Sequence, residues 1–173
     1  AYEEIDERFR AFVDSRFVAQ YNLYEAFGEA DLQLFRLQIN DRPADTELRA
    51  RLAAAYLDTG NIEDALIQAA VARRLAPDDP LVLRTWGLAH AVRGFANSDF
   101  DDLFEATLAL EQLDQLGAAD YETYRTLGRI ELGNSDWRRA EDWLRQALDA
   151  FPREGGPGSP YLLLAQVYQQ TGQ

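Results

Sequence analysis

Small and large apolar residues recur along this chain in a fixed order, and that order predicts where helices start, pair and stop. In the segment Leu52-Ala53-Ala54-Ala55-Tyr56-Leu57-Asp58-Thr59-Gly60, a large apolar residue precedes a small one. An aromatic follows three positions later and a glycine four after that, with Ala65, Ala69, Ala72 and Pro77 downstream. The same offsets return in Leu127-Gly128-Arg129-Ile130-Glu131-Leu132-Gly133, followed by Ala140, Leu144, Ala147 and Pro152. A third copy opens at Trp86-Gly87 with His90 and Gly94, and a fourth at Leu164-Ala165 with Tyr168 and Gly172. Such self-similarity reads as one helix pair per unit: a small residue on the first helix lets the second come close, and the alanines of the second receive large neighbours. Gly at the turn and Pro after the second helix mark the stops. The acceptors Asn61 with Asp64, Asp79, Asp120, Ser135 and Ser159 before Pro160 are expected at first turns. Helices are therefore predicted near 46–59, 62–75, 80–94, 101–116, 120–133, 136–151 and 159–172. No segment alternates apolar and polar residues long enough to predict a strand.

These residues resemble the tetratricopeptide repeat family, whose unit has 34 residues with small side chains at fixed places in both helices and a proline near the end. The unit at 46–79 carries Leu52, Ala53, Tyr56, Gly60, Ala65, Ala69, Ala72 and Pro77. The unit at 80–120 keeps Leu83, Trp86, Gly87, His90 and Gly94 but has about seven extra residues around Asn97-Ser98-Asp99-Phe100 and no closing proline. The unit at 121–157 ends in the Gly- and Pro-rich loop from Glu154 to Gly158, and 158–173 is a partial unit. Residues 1–45 extend the frame once more, as a degenerate pair with Phe17, Val18, Tyr21, Ala30, Leu34 and Leu37 at the expected offsets. Its first helix is lengthened to run from about Glu3 to Phe27. The expected fold class is all-α, and the resemblance implies a right-handed superhelical solenoid of antiparallel helix pairs. The last helix, with Tyr161, Leu162, Leu163, Leu164, Val167 and Tyr168, is apolar on more than one face. It is expected either to continue into further chain or to dock on another subunit. The missing initial Met is expected from a mature or trimmed form.

Composition narrows the chemistry. The 173 residues carry 30 acids against 17 basic residues, all of them Arg, for a net charge of −13, which disfavours nucleic acid and anionic membranes as partners. With no Cys and one His there is no thiolate, disulfide or Cys/His zinc site, and His90 sits where the family usually has an aromatic residue. Asp99, Asp101, Asp102 and Glu105 lack the glycine and closing glutamate of a calcium loop and read as acids at a helix start. No catalytic set, metal or cofactor is expected. No run is long and apolar enough to insert directly in a membrane, and the absence of Cys leaves a cytoplasmic or a periplasmic location of a soluble chain equally open.

The resemblance implies a non-enzymatic scaffold or adaptor whose concave groove holds an extended or helical segment of another protein. Carried onto this chain, the groove positions include Arg16, Arg51, Arg84, Arg125 and Arg129, suited to an acidic or carboxylate-bearing peptide, and Leu57, Leu88 and Leu132 for apolar contact. The family's carboxylate clamp does not carry over, because Ala50, Ala54, Thr85, Glu122 and Thr126 stand at its places. An alternative leaves those arginines paired with Glu47, Asp58 and Glu122 on a solvated face. A rival reading places the function in oligomerisation, a homodimer through the aromatic residues Phe9, Phe12, Phe17, Tyr21 and Tyr24 together with the unfinished last helix. A third makes the chain the helical arm of a larger enzyme. Bacterial members of the family serve in envelope assembly, secretion, pilus biogenesis and regulation, and the resemblance does not choose among these.

Overall fold

The computed structural model describes residues 26–152, 156 and 158–172. Among these, the chain forms eight α-helices and no strand: α1 Glu29–Asp41, α2 Thr46–Asp58, α3 Ile62–Leu75, α4 Pro80–Asn97, α5 Phe100–Gln115, α6 Tyr121–Gly133, α7 Trp137–Ala150 and α8 Pro160–Thr171. The long first helix expected over Glu3–Phe27 lies outside the described residues except at its end, where Ala26 and Phe27 are not helical. Aspartates set most of the starts. Asp79 accepts from the backbone N–H of Leu81 and Val82 with Pro80 in the first turn, and Asp120 accepts from Thr123. Asp99, expected as an acid at a helix start, caps α5 on Asp101 and Asp102, and two further aspartate caps have no counterpart in the sequence expectation: Asp45 on Leu48 and Asp136 on Arg139. Asp136 takes the role expected of Ser135, which bends back with φ of 60°. Asn61 stands at the start of α3 but turns its amide to the Thr59 hydroxyl, 3.0 Å away.

Every helix packs on the next in sequence, and α2, α4, α6 and α8 also pack on one another in series. The second helices do not: the backbones of α3, α5 and α7 stay more than 8 Å apart and are bridged by side chains, such as Arg73 to Gln112 at 3.2 Å. A row in mutual contact beside a splayed row is a curved all-α solenoid with α2, α4 and α6 on its inner side. Glycine makes the pairs tight. A Cβ on Gly87 would lie 2.6 Å from the Leu110 side chain, and one on Gly128 would lie 2.6 Å from that of Leu144. Both leucines are fully buried, each worth about 1.5–3 kcal/mol of apolar transfer.

The extra residues of the second unit do not form a long loop. They lengthen α4 to 18 residues, so that Ser98 in the left-handed region and Asp99 alone join it to α5. This longer hairpin is stapled by a buried network. His90 Nδ1 lies 2.7 Å from Asp102 Oδ1, and Arg93 donates to the same carboxylate through Nε at 2.6 Å and Nη2 at 2.7 Å. His90 packs against Trp86 with ring centroids 4.1 Å apart and the rings tilted by 57°, and its Nε2 is buried without a hydrogen-bond partner. The Arg93 bonds hold the Asp102 carboxyl below its ordinary value, burial opposing them and His90 assisting. One unit on, Tyr124 of α6 donates to Asp114 at 2.9 Å, and burial reinforced by that carboxylate pushes its hydroxyl up to about 12.

Two outcomes are expected. Gly128→Val should lower stability by about 1–3 kcal/mol through overpacking against Leu144, read as the urea midpoint, whereas the same change at Gly133, where a Cβ meets nothing within 4 Å, should cost less. Because the folded value of Asp102 is depressed, its stabilisation is complete above the unfolded value of 3.8 and is lost as pH falls below it. Asp102→Asn should therefore lower stability at pH 7 and flatten the decline below about pH 4 in acid titrations followed by circular dichroism.

Candidate functional site

On the inner side, α2, α4 and α6 enclose an open cavity of about 330 Å³ together with the residues that precede α1. Its apolar lining comes from Leu57 of α2, from Leu88, Val92 and Phe95 along α4, and from Phe27. The α4 residues follow from helical spacing, since positions 88, 92 and 95 lie one and two turns apart on one face. Phe95 falls in the extra turn of α4, so the lengthened hairpin gives the cavity an aromatic wall. Phe27 is held by its backbone N–H, which donates to Asp58 Oδ2 at 2.7 Å, and its ring meets Phe35 edge-on with centroids 5.2 Å apart. Burial pushes the Asp58 carboxyl up, while the Phe27 bond and the charge of Arg84 pull it down.

The charged side chains around this lining are largely bonded to one another. Arg84 Nε donates to Asp120 Oδ2 at 2.6 Å, with both side chains only about a tenth exposed, so the carboxylate that caps α6 also fixes the arginine of α4. Arg125 grips Glu122 with two bonds of 3.0 and 2.5 Å and reaches the carbonyl of Gly158 at 3.4 Å. Arg129 is exposed and lies over the Phe95 ring, its guanidinium carbon 3.9 Å from the centroid, and has no ion pair among the described residues. Stacking on an aromatic face leaves the guanidinium edge available for a planar bidentate acceptor.

Of the groove residues expected from the sequence, Leu57, Leu88, Arg84, Arg125 and Arg129 all line this cavity. Two others are placed elsewhere. Arg51 is exposed and pairs with Glu47 at 2.6 Å, and Leu132 packs half-buried against the cluster of Ala140, Leu144, Leu163 and Val167. Arg16 and the aromatic set Phe9, Phe12, Phe17, Tyr21 and Tyr24 lie outside the described residues. In the last helix Leu163, Leu164 and Val167 are buried, while Tyr161 and Leu162 remain about half exposed. Phe27 and Phe95 were not foreseen. The continuing spacing from Leu88 to Phe95 was the available signal for the second, and the first closes the N-terminal aromatic series, which the sequence assigns to an interface and not to the groove.

No known family model matches the sequence, and no curated protein matches it. Among solved structures, the chain is similar to the crystal structure of MamA protein, with a TM-score of 0.64 over 94% of this chain and 82% of that one, at 16% identity. At that identity the likeness shows the fold alone. The fold is a tetratricopeptide-like helical repeat. Among the described residues, no helix is long and apolar enough to cross a membrane.

Since Asp120 serves two units at once, its loss should be felt twice. Asp120→Ala removes a helix cap worth about 1 kcal/mol together with the 2.6 Å bond to Arg84, a charge-assisted bond worth about 1–2 kcal/mol, so a total loss of about 2–3 kcal/mol is expected in chemical denaturation. Asp120→Asn retains an acceptor for the cap and should lose less than the alanine variant.

Proposed function

We propose that the chain is a non-enzymatic protein-interaction scaffold of the tetratricopeptide kind that holds a short segment of a partner protein in the cavity between α2, α4 and α6. The observation that carries this reading is the composition of that cavity: an apolar lining of Leu57, Leu88, Val92, Phe95 and Phe27 beside an exposed Arg129 stacked on Phe95. A volume of about 330 Å³ suits one or two side chains of a bound segment, not a whole domain. Arg84 and Arg125 are tied to Asp120 and Glu122, so they shape the wall, and Arg129 is the cation placed to take a carboxylate of the partner. Apolar anchoring supplies most of the affinity in this reading, and the Arg129 pair sets orientation.

Val92 and Arg129 are both exposed, so their replacement should not disturb folding. Val92→Glu combined with Arg129→Glu should weaken a partner captured from source lysate by about tenfold or more, with an unchanged circular dichroism spectrum and melting temperature. Capture of the same proteins at the same level by wild type and double variant would overturn the groove reading.

A further inference from the structure

The outer side of the solenoid carries a second apolar feature. Phe100, Phe104 and Leu108 recur at four-residue intervals along α5 and are 75%, 62% and 49% exposed. They form a stripe about two turns or 12 Å long on the face opposite the buried Ala106, Ala109, Leu110 and Leu113. This face is open because the second helices are splayed, with no backbone of α3 or α7 within 8 Å of α5. It also belongs to the hairpin that departs from the regular unit length, as Phe100 opens α5 directly after the extended α4. An exposed phenylalanine pair and a leucine in one line on one helix face mark an interaction face.

The surroundings say what fits. Asp101 and Glu105 are exposed along one flank of the stripe. Arg139, which reaches α5 from α7, is already bonded to Glu111 and Glu131. The flank is thus acidic, in a protein of net charge −13, which repels a second copy and an anionic membrane and attracts a cationic partner. Three side chains of this kind offer on the order of 300 Å², far below the roughly 800 Å² per partner of a standard subunit interface. An area of that size matches one short helix.

We infer that the α5 face formed by Phe100, Phe104 and Leu108 docks an amphipathic helical segment of another protein whose apolar side is edged by Lys or Arg. Two turns of the segment would lay leucine-like side chains between Phe100, Phe104 and Leu108, with its basic edge beside Asp101 and Glu105. This face lies on the opposite side of the solenoid from the groove, so it would serve a second partner or a second segment of the same one.

The test uses two synthetic peptides of roughly 18 residues with the same leucine stripe, one edged by Arg and one by Glu, each titrated by fluorescence anisotropy into the full chain. The Arg-edged peptide should bind, and the Glu-edged peptide should bind at least about tenfold more weakly. Phe100→Ser with Phe104→Ser should reduce Arg-edged binding by about tenfold or more at unchanged melting temperature, and Asp101→Lys with Glu105→Lys should erase the preference between the peptides. Val92→Glu with Arg129→Glu should leave this binding intact, which separates the outer face from the groove. The inference is overturned if neither peptide binds wild type, or if the Phe variant binds the Arg-edged peptide as wild type does. It is equally overturned if wild type sediments as a dimer that the Phe variant disperses, since a second copy would then be the occupant.

Discussion

Close approach of two helix backbones within each pair is the constraint on which the rest of this structure depends. It is met by a small residue at one position of the first helix: Ala53 in α2, Gly87 in α4 and Gly128 in α6, all fully buried or nearly so. In α4 and α6 the space beside the glycine is filled by a leucine of the second helix, Leu110 or Leu144. Once the pair is this tight, the large side chains on either side of the small residue must point outward from the seam, toward the neighbouring pair or toward the concave side. The spacing that makes the pair therefore also decides which residues can line the groove, and Leu88 beside Gly87 and Arg129 beside Gly128 are direct consequences.

The electrostatics of the inner side follow from how units are joined and not from how many arginines they contain. Asp120 ends the connection between α5 and α6, and its two oxygens serve different masters: one the backbone of Thr123, the other the guanidinium of Arg84. A cap that also neutralises the preceding unit's arginine couples the start of one helix to the inner face of another. Arg125 is neutralised within its own helix by Glu122, three residues earlier, which helical geometry permits anywhere. Two of the three arginines that line the cavity are thereby bonded to acids, and the third, Arg129, instead lies over an aromatic ring that the long α4 puts beneath it.

Much of the fold was legible because it rests on local periodicity. The positions of Leu52, Ala53, Leu127 and Gly128 specify helix pairs without knowledge of any distant contact, and the starts at Asp79 and Asp120 follow from local capping. What sequence reasoning missed depends on choices between neighbours. Ser135 and Asp136 are both good caps, and the left-handed bend at Ser135 gives the role to Asp136. Asn61 could have bonded its helix, but the Thr59 hydroxyl is nearer at hand. The extra residues after Gly94 looked like a loop because they contain Asn97-Ser98, yet Gly94 to Asn97 continue the helix since Leu103 and Asp102 pack tightly against Gly94. For the candidate groove, the helix-borne residues could be placed from spacing, whereas Phe27 reaches the cavity through a contact with Asp58, 31 residues away, that no local pattern encodes.

The lengthened second unit links both faces of the molecule. Extending α4 past Gly94 brings Phe95 to the inner side beneath Arg129, and the short turn at Ser98-Asp99 then starts α5 with Phe100 on the outer side. The same extension carries an internal tie. The His90, Asp102 and Arg93 network supplies it at that level, and Glu63 of α3 reaches Arg93 at 3.4 Å from the preceding unit. A buried polar network in an alanine- and leucine-rich core is a costly way to join two helices, and the next unit uses a smaller one, with buried Glu131 of α6 paired to Arg139 of α7 at 2.9 Å. Its presence here is intelligible as the support for a hairpin that presents an aromatic residue on each of its two faces, Phe95 inward and Phe100 outward.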